Sequence, residues 1–95
     1  MNLYDETKRA DEAQRMLANP LYREAWASYE AVLLELLASA ATTPDKAQEV
    51  RGWLIGARKA RGHLERIVSE GKLAAEQIRQ EEQRKTIKQR IRAAF

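Results

Sequence analysis

Residues 44–78 read PDKAQEVRGWLIGARKARGHLERIVSEGKLAAEQI, and their spacing decides the fold. Val50, Trp53, Ala57, Ala60, Leu64, Ile67, Gly71, Ala74 and Ile78 follow one another at alternating steps of three and four. Those steps keep small and apolar positions on one face of an α-helix, the heptad pattern that packs helix on helix. Thr43 can cap this helix, and Pro44 suits its first position, where the missing N–H has no partner to lose. Asp45 complements the positive helix start. Gly71 leaves two readings open. Inside a helix it costs ~1 kcal/mol relative to Ala, which a long packed helix tolerates. Alternatively it is a C-terminal cap, which divides the stretch into helices over 44–70 and 72–94.

The connection upstream, Thr42-Thr43, is short, so the preceding helix is expected to be an antiparallel neighbour. That helix is expected over 20–41, opened by Asn19 as N-cap and Pro20. Tyr22, Trp26, Tyr29, Val32, Leu33, Leu36 and Ala40 form its stripe. Between Ala31 and Ala41 only Glu35 and Ser39 are polar, so this part should be covered on more than one side. A first helix over 3–18 carries a thin face of Leu3, Ala10, Ala13 and Leu17. No run of alternating β-branched residues suggests a strand. The expected fold is all-α, one domain over 1–95. It is a long antiparallel helical hairpin with a short N-terminal helix and a C-terminal helical extension.

With the turn centred on Thr42-Thr43, Leu64 is expected near Leu21, Trp53 near Val32 and Gly56 near Tyr29. Gly52, Gly56 and Ala60 form a small-residue ridge, and a close helix approach there would offset the ~2 kcal/mol that two mid-helix glycines cost. On this reading Gly56→Leu overpacks the contact. The expected helix–helix interface is Trp26, Tyr29, Leu33, Leu36, Gly52, Trp53, Gly56, Leu64, Ile67 and Ile78.

The seam fails after Ile78, where Glu81 and Lys85 take its next places. A separate set, Ile87, Ile91 and Phe95, then runs at i, i+4, i+8, half a turn out of phase with Ile78. These three are expected to bind a partner.

Charge is unevenly spread. Residues 1–48 carry five basic and eight acidic side chains, hence −3; residues 79–95 carry six and two, hence +4. Arg58, Lys59, Arg61, Arg84, Lys85, Lys88, Arg90 and Arg92 are candidate phosphate contacts. Cysteine is absent and His63 is the one histidine, which excludes thiolate metal sites and nearly excludes a His-based metal centre or a Ser/His hydrolase. Adjacent carboxylates such as Asp11-Glu12 and Glu81-Glu82 point in different directions on a helix, so no acid/base dyad is expected. No catalytic residue, metal or cofactor is expected, and no membrane span, since the longest apolar stretch falls short of ~20 residues.

Ala18-Asn19-Pro20-Leu21, Glu24-Ala25, Glu30-Ala31, Trp53-Leu54, His63-Leu64-Glu65 and Val68-x-x-Gly71-Lys72-Leu73-Ala74 resemble short helical proteins of tailed bacteriophages and prophages. Those proteins are encoded among head-assembly and DNA-packaging genes, and the resemblance covers roughly residues 7–79. It implies a phage setting and a structural or packaging role, and carries over no catalytic residue.

The expected function is therefore a non-enzymatic phage assembly protein. It would associate through helices with itself and with head, portal or other virion proteins, in the host cytoplasm or incorporated in the virion. The alternatives are a nucleic-acid-binding packaging accessory resembling a small terminase subunit, and a small inhibitor of a host protein.

Overall fold

Short polar caps divide the chain into helices. In the computed structural model, which describes residues 2–94, these are α1 (Leu3–Ala18), α2 (Pro20–Ala38) and α3 (Pro44–Ala94). Phe95, expected to end the tail stripe, lies outside the described residues. The Asn2 side chain accepts from the Asp5 N–H at 2.8 Å and starts α1. Asn19 is extended, as a residue before proline prefers. It ends α1, and its side chain accepts from the Leu21 and Tyr22 N–H groups at 2.9 and 3.1 Å to start α2. Ser39 ends α2 three residues before the expected boundary. Its hydroxyl accepts from the Ala41 N–H and its carbonyl from the Thr42 N–H, closing a turn that takes Ala40 and Ala41 out of the helix. Thr43 then caps α3 by accepting from the Lys46 N–H at 3.2 Å.

The choice at Gly71 resolves to one helix. α3 runs unbroken for 51 residues, about 76 Å at 1.5 Å per residue, and sets the 80 Å long dimension of the molecule. Both shorter helices lie antiparallel along its first two thirds. Near the 39–43 turn, Leu33 of α2 is enclosed with Val50 and Leu54 of α3, flanked by Leu36 and Leu37. Glu30 and Arg58 bridge the same pair of helices at 3.2 Å.

The tightest packing is elsewhere. Ala10 and Ala13 of α1 are buried, as are Ile67, Gly71 and Ala74 of α3. A β-carbon built on Gly71 would overlap the Ala10 β-carbon and sit 3.2 Å from the Glu6 carbonyl oxygen. Gly71 is thus the place where two helix backbones approach closely. With Ala10 opposite Gly71, an antiparallel path carries Leu3 to Ile78 and Leu17 to Leu64, all four of which are half-buried. The thin face of α1 is thin because small residues suit this contact.

Several expected contacts are corrected. A β-carbon on Gly52 or Gly56 meets nothing within 4 Å, and Ala60 is exposed. At 100° per residue Gly52 and Gly56 each sit two residues, 200° around the helix, from the inward Val50 and Leu54. The ridge therefore faces solvent, and Tyr29, itself 45% exposed, does not lie in it. Trp53 is 42% exposed beneath the Lys46 ammonium, 4.7 Å from its ring centre, while Leu54 fills the core place. Leu64 falls opposite α1, not beside Leu21, which is exposed.

Candidate functional site

The surface left bare is large for the chain. Its accessible area is 7719 Å², against about 5,600 Å² for a compact monomer of 10.9 kDa. The radius of gyration is 22.0 Å, against about 12 Å for a compact chain of this length. The excess of about 2,100 Å² exceeds the ~800 Å² that one partner contributes to a standard interface. Two helical faces carry much of its apolar part.

The first is on α2. Leu33, Leu36 and Leu37 turn inward, and apart from the half-buried Tyr22 and Trp26 the remaining apolar positions of this helix stay outside. Leu21, Ala25, Tyr29 and Val32, at i, i+4, i+8 and i+11, form an exposed stripe. Trp26 is half-buried and meets Tyr22 edge to face, ring centres 6.2 Å apart. Tyr22, Ala25, Trp26 and Tyr29 line a shallow apolar depression of about 240 Å³. Glu24 and Glu35 border the stripe on its outer side, and neither forms an ion pair among the described residues. A wider cleft of about 420 Å³ opens where Leu17, Tyr22 and Trp26 face Arg61. It marks the stretch in which α2 stands off from α3.

The second face is on the end of α3. Every described residue from Arg79 onward is exposed, including Ile87 and Ile91, one turn apart. Leu73, 68% exposed, lies eighteen residues before Ile91, five turns of helix, so this apolar line begins beside the α1 contact. That spacing was the available signal for Leu73, and it is masked in sequence by the stronger inward seam. Arg84, Lys85, Lys88, Arg90 and Arg92 form no ion pair among the described residues. Arg79 does: it hydrogen-bonds Glu76 through two nitrogens, and that bond, more than its charge, holds the Glu76 carboxyl below its ordinary range.

The middle basic cluster is partly engaged. Arg58 pairs with Glu30, and Arg61 with Glu65 at 3.4 Å, leaving Lys59. His63 is exposed. No three His, Asp or Glu side chains converge as a metal ion requires, and no helix is long and apolar enough to cross a membrane, among the described residues. Of the expected interface residues, Leu33 and Ile67 are buried, and Trp26, Leu36, Leu64 and Ile78 half-buried. Tyr29, Gly52, Trp53 and Gly56 are exposed.

Comparison with protein-family models, curated proteins and solved structures finds no match to this chain. The arrangement leaves two separate exposed apolar faces, one acidic and aromatic, one basic and aliphatic.

Proposed function

We propose that the chain is a non-enzymatic assembly protein that works by docking helices onto copies of itself and onto other proteins. Its setting is the tailed-phage one implied by the resemblance over residues 7–79, with head or portal proteins as partners. The observation that carries the reading is the helical stretch from 79 to 94, every residue of which is exposed, yet which keeps Ile87 and Ile91 one turn apart. Packing is what normally stabilises an amphipathic helical stretch of this kind.

Nucleic-acid binding is the second reading. The five cations from Arg84 to Arg92, without an ion pair among the described residues, favour it, because such Arg and Lys side chains can neutralise phosphates.

Light scattering of the full chain and of a chain lacking 79–95, with and without duplex DNA at low salt, tests both. Species larger than a monomer, formed without DNA and lost on deletion, are expected. A monomer that binds DNA, with affinity falling with salt at a slope of about 0.9 per phosphate neutralised, transfers the role to packaging. A monomer that binds no DNA overturns both readings.

A further inference from the structure

Resting on that assembly reading, the structure points to a specific pair of surfaces. We propose that residues 79–94 of one copy lie along the outer stripe of α2, Leu21, Ala25, Tyr29 and Val32, in a second copy.

The two faces cannot meet within one chain. α2 is held against the first part of α3 by the Leu33, Val50 and Leu54 cluster and by the Glu30–Arg58 bridge. Ile87 stands about 44 Å further along the same unbroken helix, twenty-nine residues beyond Arg58 at 1.5 Å each. With no bend in α3, only another molecule can bring a tail to an α2.

Charge selects α2 as the tail's seat. Residues 79–94 carry six basic and two acidic side chains, hence +4, whereas α2 carries Arg23 against Glu24, Glu30 and Glu35, hence −2. α3 taken whole carries thirteen basic and seven acidic side chains, hence +6, so two tails side by side repel, as does a tail laid on the outer face of another α3. On α2 Glu24 and Glu35, which form no ion pair among the described residues, flank the stripe, within reach of the long cationic side chains of a helix lying along it.

Shape agrees with charge. The depression among Tyr22, Ala25, Trp26 and Tyr29 is apolar and wide enough for a branched aliphatic side chain. Ile87 and Ile91 present two such side chains one turn apart, in the helix-in-groove manner. In a two-fold pair each copy gives a tail and receives one, so the seam is made twice.

The chain has no cysteine, so one can be placed cleanly. Gln80→Cys puts a thiol on the Ile87 side of the helix, two turns away, where it can carry a benzophenone maleimide. Irradiation of the labelled full-length protein is expected to give a crosslinked dimer whose attachment maps to residues 20–38. Ile87→Asp with Ile91→Asp should abolish the dimer while leaving a folded monomer with the helical circular-dichroism signal of the wild type, because both positions are exposed. Glu24→Lys with Glu35→Lys should weaken it, and adding Arg84→Glu with Lys88→Glu should restore it. Attachment to α1, to α3 or to the other tail overturns the inference while assembly itself stands. A wild-type chain that stays monomeric overturns both.

Discussion

The β-carbon of Ala10 occupies the space a side chain on Gly71 would need. The neighbour is a backbone-anchored atom, with the Glu6 carbonyl beside it, so it cannot swing away as a long side chain would. Gly71→Ala gains up to ~1 kcal/mol of helix propensity but forces the two helices apart, an overpacking cost of about 1–3 kcal/mol. A lower melting temperature is expected for Gly71→Ala, and a much lower one for Gly71→Leu, with amide exchange in α1 accelerating most.

Gly52 and Gly56 should behave in the opposite way. Each has open space where a β-carbon would go, so Gly56→Ala is expected to stabilise by up to ~1 kcal/mol. Gly56→Leu should also melt no lower than wild type. Thermal denaturation of the three chains decides the point, and a destabilised Gly56→Leu would mean that another surface covers this ridge in solution.

Asn19 serves two helices at one residue. Its side chain holds two N–H groups of α2, and its backbone N–H reaches back to the Met16 carbonyl in α1. Asn19→Ala keeps the backbone contact and loses the cap, which should cost ~1 kcal/mol in urea denaturation. Asn19→Asp or Asn19→Ser should retain most of that stability.

Acid should release the Glu76–Arg79 pair. The folded carboxyl titrates below its unfolded value, so its contribution is present above the unfolded pKa and disappears as pH falls through the folded one. The pair is solvent-exposed, so the effect belongs to local order and not to global stability. NMR titration of the Glu76 side chain should show its pKa rising toward the ordinary carboxylate range in Arg79→Ala.

How far the sequence could be read follows from where each signal resides. Thr43-Pro44 and Asn19-Pro20 announced their helix starts because capping is local chemistry, settled within three or four residues. The burial of Ile67 and Ala74 followed from one unbroken period, which left continuity through Gly71 open, because glycine suits a C-terminal cap and is tolerated inside a packed helix. The partner across that seam did not follow. Three glycines at 52, 56 and 71 look alike in sequence, but only the one facing Ala10 is a contact, and this depends on where α1 folds back. The α2 stripe was hidden for a related reason. In a segment where almost every residue is apolar, periodicity does not separate the face that packs from the face left for a partner.

The absence of any joint in α3 gives the molecule a torsional memory. Each added residue turns everything beyond it by 100°, whereas a full heptad returns it to within about 20°. The direction in which Ile87 and Ile91 point is thus set by the hairpin tens of ångströms away. A partner gripping the tail as proposed would be held not only at a fixed reach but at a fixed angle about the rod, which would then serve as a ruler and a protractor at once.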